Sequence, residues 1–140
     1  MNRYYLAIAD IDTAIMLEPP SSFLTGSNYV ARAICKDKSN NYTLSEVLKD
    51  FEKAIVVSEN EYKLGPYLSR AEFYASKNMY PNAIADLDSA LVFKANIKGG
   101  FCYRERGDYK KISKLYSDSS IQSDYNMANT LDSLNRYGKH

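Results

Sequence analysis

Residues 80–95 read Tyr80-Pro-Asn-Ala-Ile-Ala-Asp-Leu-Asp-Ser-Ala-Leu-Val-Phe-Lys-Ala95, and two other stretches repeat their pattern. One is Tyr4-Tyr-Leu-Ala-Ile-Ala-Asp-Ile-Asp-Thr-Ala-Ile-Met-Leu-Glu-Pro19; the other is Leu44-Ser-Glu-Val-Leu-Lys-Asp-Phe-Glu-Lys-Ala-Ile-Val-Val-Ser-Glu59. Each carries a small or apolar residue, a bulky one four later and Ala three after that: Ala7/Ile11/Ala14, Val47/Phe51/Ala54 and Ala83/Leu87/Ala90. Spacings of four and three set these side chains on one face of a helix. The Ala lets a neighbouring helix approach closely while the bulky residue fills the adjacent space.

A second helical pattern lies upstream of two of these stretches. Tyr29, Arg32 and Ala33 precede the second; Tyr67, Arg70, Ala71 and Tyr74 precede the third. Asn78-Met79 makes the turn and Tyr80-Pro81 opens the next helix, a first-turn place that suits proline. The unit is therefore helix, short turn, antiparallel helix, repeated along an all-α chain.

This pattern resembles the tetratricopeptide repeat, a helix pair of about 34 residues. Residues 64–97 match best, through Tyr67, Arg70, Ala71, Tyr74, Tyr80, Ala83, Leu87 and Ala90, with Asn78 at the turn Gly and Ala95 at the terminal Pro. Residues 26–61 form a second unit with Tyr29, Arg32, Ala33, Phe51 and Ala54, and residues 1–20 supply only a second helix. A degenerate unit is expected over 98–119, where Gly107-Asp108-Tyr109 stands at the turn and Ile112, Tyr116 and Ser119 follow as Ala, aromatic and Ala. Residues 120–140, with Ile121, Tyr125, Ala128, Leu131 and Leu134, are expected to be a terminal amphipathic helix and tail that caps the array. The resemblance implies an α-solenoid, a right-handed superhelix of three to four repeats plus that helix.

Two irregularities stand out. Ile8, Ile11 and Ile15 have no first helix of their own unit to cover them, so the sequence is expected to be a piece of a longer array, with contact between copies as the alternative. The interval from Ala90 to Gly100 is also short, and Gly99-Gly100 costs backbone entropy. The first helix of the fourth unit is expected to be curtailed there.

Composition narrows the function. Of 140 residues, 45% are hydrophobic and 25% charged, ordinary for a globular chain. Eighteen Lys plus Arg against seventeen Asp plus Glu give a net charge of +1, without the basic stripe of a nucleic-acid binder. No apolar run is long enough to span a membrane and no signal peptide opens the chain, so a cytoplasmic place is the default expectation. Thirteen Tyr and no Trp suit a thin structure whose ring hydroxyls reach water.

Catalysis is not expected. Cys35, Cys102 and the single His140 make no zinc motif, and the two thiols are expected to be free and packed on helices. His140 sits at the chain end, away from any nucleophile it could serve. No phosphate-cradling Gly motif occurs. The pairs Asp10/Asp12 and Asp86/Asp88 diverge by about 200° on a helix and are read as solvated repeat positions. No cofactor or metal is expected.

What remains is surface. In the family, the first helix of each hairpin lines a concave groove that takes a partner's peptide or helix. Carried over, the groove would comprise Val30, Ile34 and Asp37, then Leu68, Glu72 and Ser76, then Phe101 and Arg104. Family members that clamp acidic chaperone tails use Lys and Asn at such places; here stand Val30, Ile34, Leu68, Ser69 and Glu72, which disfavours that role. An apolar or mixed segment is the expected ligand, with Arg104 available to an acidic group.

Overall fold

The computed structural model describes residues 3–19, 23–93 and 99–137. Within them lie seven α-helices: α1 (Arg3–Leu17), α2 (Phe23–Ser39), α3 (Leu44–Val57), α4 (Leu64–Ser76), α5 (Tyr80–Phe93), α6 (Gly99–Ser113) and α7 (Asp118–Tyr137). A 3-10 turn, Asn60–Tyr62, precedes α4, and there is no strand among the described residues. The chain divides into two compact units between Ser69 and Arg70, inside α4.

In the first unit α2 packs against both α1 and α3. Ala33 of α2 is buried, as are Val47, Phe51, Ala54 and Ile55 of α3, which follow one another at helical spacing. The start of α3 is fixed by a capping box. Thr43 Oγ1 accepts from the Glu46 amide at 3.3 Å, and Glu46 Oε2 accepts from the Thr43 amide at 2.8 Å. These contacts also hold the Glu46 carboxyl below its ordinary range. On α1, which packs against α2, Ile8 is buried while Ile11 and Ile15 are half-buried.

In the second unit α6 packs against both α5 and α7. Its core holds Ala71 and Phe73 of α4, Ala83, Ile84, Leu87 and Ala90 of α5, Cys102 of α6 and Ala128 of α7. Neither Cys35 nor Cys102 is in a disulfide.

Three turns share one device. Asn40, Asn78 and Lys114 have φ of 57°, 59° and 56°, and each follows the first helix of a hairpin at the same distance beyond Arg32, Arg70 or Arg106. A left-handed residue there returns late amides to the helix end: Asn78 donates to Ala75 at 2.9 Å and Met79 to Tyr74 at 2.9 Å.

Two expectations fail in the last hairpin. α6 is not curtailed: it runs fifteen residues from Gly99, and Gly107-Asp108-Tyr109 lies inside it rather than at the turn. The turn is at Lys114, so Ile112 belongs to α6, Tyr116 to the connection and Ser119 to the first turn of α7. The second helix of this hairpin is α7, where Ile121, Tyr125 and Ala128 repeat the spacing of Val47, Phe51 and Ala54. Residues 118–137 are thus the second half of a hairpin rather than an appended cap. The reason is close approach. A Cβ on Gly107 would sit 2.8 Å from the Tyr125 ring, and one on Gly100 would sit 3.3 Å from the Ala128 carbonyl oxygen. Glycine here admits a neighbouring helix; it does not end its own.

Candidate functional site

The most organised polar chemistry in the chain is a charge cluster that recurs in every hairpin. In α2–α3, Arg32 forks onto Asp50, with Nε to Oδ2 at 2.9 Å and Nη2 to Oδ1 at 2.6 Å, while Nη1 reaches Asp12 of α1 at 2.6 Å. Lys36 adds a contact to Asp50 at 2.8 Å, and the Arg32 guanidinium lies 5.1 Å from the Tyr29 ring centre. In α6–α7, Arg106 donates to Asp124 from Nη2 at 2.5 Å and to Asp88 of α5 from Nη1 at 2.5 Å. Lys110 again reaches the shared carboxylate, at 2.9 Å, and Tyr103 lies under the guanidinium at 4.9 Å. In α4–α5, Arg70 forks onto Asp86 at 2.8 and 2.7 Å, with the Tyr74 ring at 5.8 Å.

Each central carboxylate is nearly sealed: Asp50, Asp86 and Asp124 are 4%, 5% and 2% exposed. Burial alone would favour the neutral acid, and a buried charge is tolerated only when paired and hydrogen-bonded. For Asp124 burial does push upward, but Arg106 and Lys110 outweigh it and hold the carboxyl below its ordinary range. Asp50 and Asp12 likewise keep Arg32 firmly protonated against burial. Groups paired in this way hold neighbouring helices together.

The Asp pairs therefore separate as their spacing requires, and of the four carboxylates only Asp86 is buried, Asp10 and Asp88 being exposed. Asp12 and Asp88 each bind the arginine of the following helix, while Asp86 is buried under Arg70. Neither pair converges on a common point. Among the described residues, no group of three or more His, Cys, Asp or Glu is placed to hold a metal ion. His140 and Ala95 lie outside the described residues.

The proposed groove residues fall on both units. On α2, Val30 and Asp37 are half-buried and Ile34 is 45% exposed; Leu68, on the first part of α4, is half-buried. In the second unit Glu72 and Ser76 are exposed on α4, and Phe101 is 45% exposed on α6. Ser76 Oγ donates to the Phe73 carbonyl at 2.7 Å and serves the helix end. Arg104 is not free for a ligand acid, because it is paired with Asp132 of α7. Partial burial and the nearby Glu105 push the Glu72 carboxyl up, and Glu105 in turn accepts from the Tyr109 hydroxyl at 2.8 Å.

Of the residues expected to pack the repeats, Ala33, Phe51, Ala54, Ala71, Ala83, Leu87 and Ala90 are buried; Ala7, Ile11, Ala14, Tyr29, Tyr67, Tyr74 and Tyr80 are half-buried. Sequence reasoning noticed Arg32 and Arg70 but missed their partners and the whole Arg106 cluster. The signal was there: arginine precedes its buried Asp by 18, 16 and 18 residues in the three hairpins. The chain matches no protein-family model, no curated protein and no solved structure with which it was compared.

Proposed function

We propose that this chain is a non-catalytic interaction module of tetratricopeptide type, whose first helices present a surface to a peptide or helix of a protein partner. The observation that carries this reading is the division of labour on α2 and α6. Their polar groups of high energy are spent inward, on Asp50 and Asp124, while Ile34 and Phe101 stand 45% exposed on the outer side. Large apolar side chains held on preformed helices suit helix or peptide capture with little backbone change. Glu72 beside Glu105 adds a locally acidic place in the second unit, which favours a basic residue in whatever binds there.

Panning a displayed peptide library against the full chain tests this, with counter-selection on Ile34→Glu and on Phe101→Glu. Sequences that bind the parent and lose at least about ten-fold affinity for a variant are expected. If no sequence is enriched, or enriched ones ignore both substitutions, the reading fails. Self-association is the second reading, favoured by Tyr5, Leu6, Met16 and Leu17, all exposed on α1. Light scattering over a concentration series separates the two.

A further inference from the structure

The recurring charge cluster has one vacant member. Aligning Ala7/Ile11/Ala14 with Val47/Phe51/Ala54, Ala83/Leu87/Ala90 and Ile121/Tyr125/Ala128 places Asp10 at the position of Asp50, Asp86 and Asp124. Those three are buried and each takes the guanidinium of an arginine. Asp10 is exposed and has no ion pair among the described residues.

The same face is covered less fully than most of its equivalents. Ala7 and Ala14 are half-buried, as is Ile121, where Val47, Ala54, Ala83, Ala90 and Ala128 are buried, and Leu17 is 80% exposed where Val57, Phe93 and Leu131 are half-buried. Ala7, Asp10, Ala14 and Leu17 follow at spacings of three and four, so they form one stripe. Ile8, Asp12 and Ile15, which lie on the α2 side, are about half a turn away.

We infer that this stripe is a docking site for an amphipathic helix, supplied by a partner, that carries an arginine with an aromatic residue three before it and Ala or Gly just after. That pattern is what the equivalent faces receive inside the chain: Tyr29/Arg32/Ala33, Tyr67/Arg70/Ala71 and Tyr103/Arg106/Gly107. Each requirement has a physical role. The guanidinium forks onto the carboxylate, the ring three residues earlier lies against the guanidinium at Tyr29 and Tyr103, and the small residue lets the backbones close. A second copy of this chain fits less well. Its own Arg32, Arg70 and Arg106 are already committed, and two α1 helices paired about the stripe centre would oppose Asp10 to Asp10.

The test uses the full chain and a labelled synthetic peptide of residues 23–39 with Cys35→Ser, as a helix of the required pattern. Saturable binding is expected, weakened about ten-fold by Asp10→Asn in the chain and likewise by Arg32→Gln in the peptide. The two changes together should cost little more than either alone, because they remove the same contact. Asp10→Asn should leave the melting curve of the chain unchanged, since Asp10 has no ion pair among the described residues. Absence of saturable binding overturns the inference, and so does binding that Asp10→Asn leaves unaltered. A concentration-dependent dimer of the chain alone, abolished by Ala14→Gln, would give the face to a second copy and overturn it too.

Discussion

Arg106 and Asp124 show how a residue pair can be structural and still be the most polar feature of a chain. Asp124 has only 3% of its side chain exposed, so removing it strands cations that burial penalises. Asp124→Ala is expected to cost about 3 kcal/mol in urea unfolding. Asp132→Ala, which breaks the pair of Arg104 and Asp132 with nearly half of each side chain in water, should cost under about 1 kcal/mol. The pH dependence follows by sign. Asp124 titrates below its unfolded value, so its contribution is complete above that value and fades as pH falls through the lower, folded one. Stability should therefore drop below about pH 4, and Asp124→Ala should flatten that part of the profile. In the sequence, Arg32 and Arg70 stood out as repeated but their partners did not. A periodic Asp on a helix reads as solvated until the neighbouring helix is placed beside it.

Helices in this chain meet through glycine and alanine, and that is where reading from sequence went furthest astray. Gly99-Gly100 and Gly107 look like breaks because glycine is weighed by its entropy, whereas all three are buried under a neighbouring helix. Gly26 plays the same part in α2: a Cβ there would lie 2.2 Å from Ser58 Oγ, which is buried and donates to the Ala54 carbonyl at 2.7 Å. Gly26→Ala should destabilise by about 1–2 kcal/mol, as overpacking does. With Ser58→Ala added, the blocking oxygen is gone and the double variant should recover most of the loss, measured by a double-mutant cycle in urea. Two of the three left-handed turn residues, Asn40 and Asn78, are asparagines, which tolerate that backbone, while Lys114 gives no such hint. Lys114→Gly should add about 0.5–1 kcal/mol, read as a raised midpoint at unchanged slope.

Across the whole chain, the repeating triad was enough to find an all-helical protein in which helices pack on their neighbours in sequence, because helical spacing is a local property. Which surface stays open is not local. Ile8 looked bare but is buried, whereas Asp10 and Leu17 on another face of the same helix are exposed. Packing between sequence neighbours has a consequence for mutation: damage depends on which face a side chain occupies. Ala54 and Ala90 are fully buried, on the faces that the triad assigns to helix contact. Ala54→Glu or Ala90→Glu places a carboxylate there with no cation arranged to meet it, and each should cost more than about 4 kcal/mol. Ile34→Glu adds the same charge at a 45% exposed position of α2 and should change stability by only about 0.5 kcal/mol. Far-UV circular dichroism during thermal melting distinguishes these outcomes. Helical signal lost in the alanine variants and kept in Ile34→Glu supports the assigned faces. A native-like melt for Ala54→Glu would mean that α2 does not lie over Ala54, and the cluster built on Arg32 and Asp50 would then have to be rejected with it.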